Sequence, residues 1–331
     1  MAVRVPYPGL VAALTVLMLA LFVLSLIIGP SATGIGDVAR ALVGIGDSRL
    51  ILIVMEIRLP RAVLGMLVGA ALGLSGAALQ GFLRNPLAEP GLIGISGGAA
   101  LGAVLALYFG LGTLTVWAVP AAALVGAAVA VLLVILLAGR SGTLTLILAG
   151  IAISSLASAL MALALNLAPS PYAIVEIVFW MLGSLADRSN DHVLLAAPFV
   201  MVGLALLLST ARGLEALTLG DDVAATMGFS PTGLRLRIIA GASMAVGASV
   251  AVSGIVGFVG LVAPHLLRRH VGHRPGPLLL VSALAGASLV LAADTLVRLM
   301  PGGELKLGVV TALLGAPIFF HMILDQRRGA Q

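Results

Sequence analysis

Apolar runs of about 20 residues without a single charge recur along the chain, separated by short segments that hold nearly all of its arginines and acids. A charge at the centre of a membrane span costs about 2.5–3.5 kcal/mol, so charge-free runs of this length mark spans. They predict helices near 9–29, 62–82, 92–109, 114–138, 143–167, 192–210, 277–300 and 307–324. Strands of a membrane barrel would alternate apolar and polar residues, whereas the run from Ala118 to Leu137 is apolar on every face. The N-terminal run from Gly9 to Ile28 has an apolar core longer than the 7–15 residues typical of a signal peptide, so it reads as the first span.

The stretch from Ile238 to Leu267 is charge-free, long for one helix and short for two, with Gly254, Gly257 and Gly260 near its middle. Loop charge decides between the readings. Two passes with an internal N-terminus leave 11 of the 18 basic residues inside and 7 outside, whereas one pass gives 8 against 10. The excess of basic residues in cytoplasmic loops favours two passes, hence ten spans with both termini cytoplasmic. Arg61, Gly65, Gly81 and Phe82 recur at the same offsets as Arg237, Gly241, Gly257 and Phe258. On this topology the two copies run in opposite directions, the pattern of an inverted repeat. The expected fold is all-α: a polytopic membrane protein of about ten transmembrane helices with inverted-repeat character, forming one domain over residues 1–331.

Composition agrees and removes function classes. Hydrophobic residues make up 61% of the 331 and charged residues 9%, against roughly 25% charged in a soluble domain. The net charge of +5 then reports topology, with no nucleic-acid partner. No cysteine occurs, which excludes disulfides and thiolate chemistry. Lys306, the only lysine, follows Leu305, so the chain has no Gly-Lys phosphate loop and ATP hydrolysis must belong to a partner. No mid-span charge makes a convincing ion relay, although Asp294 and Arg298 stand one helical turn apart. His265, His270 and His273 fit no strong metal-ligand spacing.

The segment at about 212–236 is too long and too patterned for a turn. Asp221 and Asp222 suit a helix N-terminus, Gly228 suits its end, and Val223 and Met227 give it an apolar stripe. A short amphipathic helix outside the membrane fits either a groove on another protein or the membrane surface.

Several stretches carry a family resemblance: Arg-Leu-Pro-Arg at 58–61, Gly-Ala-Ala-Leu-Gly-Leu-Ser-Gly-Ala-Ala-Leu-Gln-Gly at 69–81, Arg-Asn-Pro-Leu-Ala-Glu-Pro-Gly-Leu-Ile-Gly at 84–94, Leu-Gly-Asp-Asp-Val-Ala at 219–224, Gly-Phe-Val-Gly-Leu-Val-Ala-Pro-His-Leu-Leu-Arg at 257–268 and Gly-Val-Val-Thr-Ala-Leu-Leu-Gly-Ala-Pro-Ile-Phe at 308–319. In order and spacing they resemble the bacterial permeases that import iron siderophores, haem and vitamin B12. The resemblance implies a subunit of the cytoplasmic membrane that pairs with a second permease copy or close homologue. It also implies two ATP-binding-cassette ATPase subunits, which hold ATP and Mg, and a periplasmic or lipid-anchored substrate-binding protein. No cofactor is implied on this chain itself. Residue by residue it assigns Leu219, Gly220, Asp221, Asp222, Ala224, Met227 and Gly228 to ATPase coupling. Asn85 and Leu87 fall in one cytoplasmic gate loop and Ser141, Gly142 and Thr143 in the other. Arg58, Arg61 and Arg298 match arginines that meet acidic residues of the binding protein. Transport would proceed by alternating access through a wide, weakly binding cavity, with no covalent chemistry in the permease. An ion-coupled secondary transporter is the rival reading and would act without an ATPase. An intramembrane enzyme would need a paired His/Asp/Glu constellation at span depth, which the sequence lacks.

Overall fold

The computed structural model describes residues 6–29, 31, 33–139, 142–300 and 305–329, and among them there is no strand. In chain order the helices are α1 (Tyr7–Ile27), α2 (Ile35–Leu42), α3 (Ser48–Leu52), α4 (Leu59–Phe82), α5 (Ile95–Tyr108), α6 (Ala118–Ala138), α7 (Thr143–Asn166), α8 (Pro171–Met181), α9 (Asn190–Leu208), α10 (Ala211–Leu217), α11 (Asp221–Thr226), α12 (Pro231–Ser253), α13 (Val259–Arg268), α14 (Pro275–Leu299) and α15 (Leu307–Gly329). Seven spans are long and apolar enough to cross a bilayer: α1, the continuous stretch Ser48–Phe82, α6, α7, α9, α12 and α14. The 14-residue α5, the apolar Leu307–His321 part of α15 and the ten-residue α13 bring these to the expected ten among the described residues. The chain is a polytopic helical membrane protein.

Contacts sort the helix ends onto two sides. At the near end, Tyr7 Oη donates to Pro277 O, Arg268 bonds Gln80, and a Cβ on Gly81 would touch Pro275. The starts of α7 and α12 share a cavity with the end of α4 there. At the far end, Arg58 reaches Leu26 and Ile27, Asn190 reaches Met55, and Tyr108 reaches Leu167. The stretch 238–267 is accordingly two passes. α12 runs from near to far and stops at Gly254 (φ 68°). The chain turns through Phe258 (φ 64°), and α13 returns to the near end. At about 1.5 Å per residue its ten residues rise only roughly 15 Å. α4 and α12 run antiparallel, as the repeated offsets suggest. The match fails at its end, because Gly81 and Phe82 close α4 whereas Gly257 and Phe258 lie in the break after α12.

α4 is the centre of the bundle. Its apolar window is 83% buried, against 17% for α1. α14, α12, α13 and α9 pack around it. The approach is closest at glycines. A Cβ on Gly76 would fall 1.8 Å from Gly260 O, and one on Gly69 2.3 Å from Gly286 O, so only hydrogen fits between these backbones.

The second span does not begin near residue 62, where the charge-free run starts, and Pro60 lies inside it. The helix already runs from Ser48, with a π-turn over Ile53–Arg58 in which Leu59 N–H donates to Val54 O. Proline has no N–H to return to Glu56, and widening the preceding turn lets the helix pass it without a break. The sequence reading also omitted α2, α3 and α8. α8 is started by Ser170, whose Oγ accepts from Ala173 N–H, and by Pro171 in its first turn.

α1 packs along one side of the bundle, chiefly on α14, and its far end is held by charge. Ile28 N–H takes Leu24 O, which leaves four carbonyls at the helix end. Arg58 Nη1 donates to Leu26 O and Ile27 O, both at 2.8 Å, and Arg298 Nη1 to Ser25 O (2.8 Å) and Ile28 O (2.9 Å). Arg58 also binds Ser31 O, Ser31 Oγ and Thr33 Oγ1. Asp294 is the shared counter-ion. Arg61 Nε lies 3.0 and 3.1 Å from its two oxygens, and Arg298 Nη2 lies 3.2 Å from Oδ2. Asp294 is 2% exposed, Arg58 3% and Arg61 8%. Asp294→Ala leaves two buried guanidinium groups without their carboxylate and should destabilise the permease by about 3–5 kcal/mol. Thermal unfolding in detergent measures this, and a melting temperature equal to that of the parent would show that Asp294 does not hold the bundle.

Candidate functional site

The predicted amphipathic segment forms at the near end, beyond the spans. After α9 the chain packs α10 inward through Gly213, Leu214, Ala216 and Leu217. Glu215 on α10 pairs with Arg274 at the start of α14, at 2.8 Å. Gly220 then takes φ 112°, ψ 157°, a conformation open to glycine alone, and α11 begins. Asp221 and Asp222 occupy its first turn, where the helix dipole favours negative charge. Gly228 (φ 84°) ends it, with Phe229 N–H returning to Ala224 O. Ala224 is fully buried, while Leu219, Val223 and Met227, spaced by four, are 64%, 42% and 55% exposed. The segment therefore leaves three apolar side chains exposed, one on α11 and one at each of its ends, with Ala224 buried behind them.

Beside it lies the loop of Asn85 and Leu87. α4 closes with Asn85 N–H on Gln80 O, a cap that requires a left-handed residue between them, and that residue is Arg84 (φ 49°). A non-glycine residue there costs about 1–2 kcal/mol. Arg84 Nη2 donates to Leu217 O at 2.7 Å and to Asp221 Oδ1 at 2.5 Å, joining the end of α4 to the turn between α10 and α11. Asn85 Oδ1 accepts from Leu87 N–H at 2.9 Å, and Leu87 packs with Leu261 and Val262 of α13. Gly142 and Thr143 of the second expected gate line a cavity of about 450 Å³ together with Arg84, Asp221 and Arg235. Ser141 lies outside the described residues. One cavity thus gathers the expected second gate, the acidic start of α11 and the residue that precedes the expected first gate. Sequence reasoning counted Arg84 only as a basic loop residue, and its partner is 137 positions away.

The three arginines expected to meet a binding protein are at the opposite end, engaged within the chain. Arg58, Arg61 and Arg298 line a cavity of about 410 Å³ with Asp187 on its wall, but their donors hold α1 and Asp294 as described. The polar stretch before α9 seals the same end. Arg188 Nε donates to Val252 O at 2.6 Å, and Asn190 Nδ2 to Glu56 Oε2 at 3.0 Å. Burial pushes the Arg188 guanidinium below its usual pKa, with Asp187 opposing the shift.

The chain as a whole is similar to known proteins. The chain is 39% identical over 321 residues to the vitamin B12 import system permease protein BtuC of Shigella boydii, covering 95% of this chain and 94% of that one. It is 39% identical over 279 residues to the hemin transport system permease protein HmuU of Yersinia pestis, covering 82% and 83%. A solved ABC transporter of metal-chelate type, in an inward-facing conformation, superposes with a TM-score of 0.87 at 33% identity over 96% of this chain and 99% of that one. The model of the FecCD transport family matches residues 17–325, and with nearly the whole chain covered, this protein belongs to that family.

Proposed function

We infer that this chain is the membrane-spanning subunit of an ATP-driven importer for iron chelates, haem or vitamin B12 in a bacterial cytoplasmic membrane. The observation that carries this reading is the short helix α11 outside the spans, whose exposed Val223 is flanked by exposed Leu219 in the preceding turn and Met227 at its cap, and which Arg84 ties to the loop of Asn85 and Leu87. Apolar side chains left in solvent fit a groove on a partner protein. In a chain without a phosphate loop, a nucleotide-hydrolysing partner is the one that would give them a purpose. The coupling set is Leu219, Gly220, Asp221, Asp222, Ala224, Met227 and Gly228, docking on two ATPase subunits that bind ATP and Mg. The permease carries no cofactor and works by alternating access as a pair with a second copy or close homologue. The names of the vitamin B12 and hemin permeases among the relatives support a large metal-complex cargo. Between α8 and α15 a cavity of about 700 Å³ lined by Met181, Ile255, Phe258 and Leu313 offers an apolar wall of the kind that binds such cargo weakly. Asp294 is neutralised by two arginines, so it serves as a structural counter-ion and gives no support to an ion-coupled transporter.

Docking of a substrate-binding protein on Arg58, Arg61 and Arg298 would require an acidic side chain to enter their cavity and exchange with internal acceptors. An exchange of that kind couples docking to the far end of α1.

Two experiments test the reading. Asp222→Arg reverses charge at the start of α11 and should leave insertion and assembly intact while lowering cargo moved per ATP by about 5- to 150-fold, the range of ordinary coupling energies. Transport by this variant at the parental rate and with parental ATPase stimulation would remove Asp222 from the coupling set. Because the chain has no cysteine, His273→Cys gives a single-site reporter of orientation. It should resist impermeant thiol reagents in intact cells and react in inverted vesicles. Ready labelling in intact cells would place the near end outside and overturn the topology.

A further inference from the structure

Arg84 occupies a position where glycine would sit with less strain, and its side chain gives the reason. One nitrogen, Nη2, donates both to Leu217 O, the last carbonyl of α10, and to Asp221 Oδ1, the first residue of α11. The guanidinium therefore spans the turn that Gly220 (φ 112°) makes between the two helices. Tilting α11 about Gly220 moves the two acceptors apart, and Arg84 has to follow one of them. The neighbouring main chain is the first gate. Asn85 N–H is fixed to Gln80 O, the Asn85 side chain holds Leu87 N–H, and Leu87 rests on α13. The side chains of Arg84 and Asp221 are 52% and 68% exposed, so water screens the pair and it adds little to stability. Its value is geometric. α10 itself is held separately to α14 by Glu215 and Arg274, whereas α11 is seated through Ala224 and its start is tied to the end of α4 through the exposed Arg84–Asp221 pair.

Resting on the assignment of α11 as the ATPase-docking helix, we propose that Arg84 is the positioning residue that carries movement of α11 into the gate loop at Asn85–Leu87. The linkage is one-sided: the helix pulls the arginine, and the strained left-handed turn at residue 84 converts the pull into rotation of the loop. The second gate, at Gly142 and Thr143, faces the same linkage across the 450 Å³ cavity and has no bond to it among the described residues, so the first gate receives the signal directly.

Arg84→Gly separates this role from a structural one. Glycine relieves the left-handed strain, so the variant should melt at or above the parental temperature and assemble with its ATPase and binding protein. Single nitroxide labels at Thr226→Cys on α11 and at Pro86→Cys in the gate loop, placed in the complete reconstituted importer, report each end of the linkage when ATP with vanadate is added. In the parent, both line shapes should change. In Arg84→Gly the label at 226 should still respond and the label at 86 should lose its response, which Arg84→Asp combined with Asp221→Arg should restore in part. An unchanged response at 86 in Arg84→Gly overturns the proposal and leaves the docking assignment standing. A label at 226 that ignores nucleotide in the parent overturns the docking assignment itself, and the linkage with it.

Discussion

In a bilayer a backbone carbonyl without a partner has no water to turn to, and this constraint organises the molecule. The spans satisfy it internally, so the difficulty concentrates where helices stop or bend. α1 stops with four free carbonyls, and two arginines, one from the π-turn that leads into α4 and one from α14, take all of them. Buried cations of that kind need an anion, and Asp294 supplies it to Arg298 and to Arg61 together. A single carboxylate therefore fixes the mutual placement of α1, α4 and α14. Pro60 raises the same difficulty within a helix, and the π-turn at Ile53–Arg58 answers it without breaking the span.

With the far end fixed by charge and the centre by glycine contacts, the freedom left to the chain lies at the near end. There α11 is short and joined through the turn at Gly220, and Val223 on it stays exposed. The electrostatics differ accordingly. The ion pairs of Asp294 are buried and resistant to salt, whereas those of Arg84 and Glu215 are exposed and adjustable. Strong pairs sit where the molecule holds its shape and weak ones where it would transmit motion.

Much of this was legible in the amino-acid sequence because the bilayer makes charge placement expensive. The spans, and the return of the chain within 238–267, followed from where arginines were absent and where they clustered. The acidic pair at 221–222 and Gly228 marked both ends of α11 correctly, since capping depends on local chemistry. α2, α3 and α8 were not legible. α2 and α3 are short and mix polar with apolar residues, and α8, though apolar, has only eleven residues, too few for the charge-free length that identifies a span. The arginines show the deeper limit. Sequence gave Arg58, Arg61 and Arg298 a common side, and the observed structure agrees. Their partners depend on packing, because a guanidinium at a helix end serves equally to bind a carbonyl of its own chain or a carboxylate of another. Arg84 was invisible for the same reason, its acceptors being more than a hundred positions away.

The carbonyl cap of α1 also has a consequence for how the protein is made. Half of it is supplied by Arg58, about one span later in synthesis, and the other half by Arg298, near the end of the chain. The first helix must therefore enter the membrane and wait with Ser25 O and Ile28 O unmatched while the intervening helices are inserted. The crossing that carries Arg298 thus finishes the first helix.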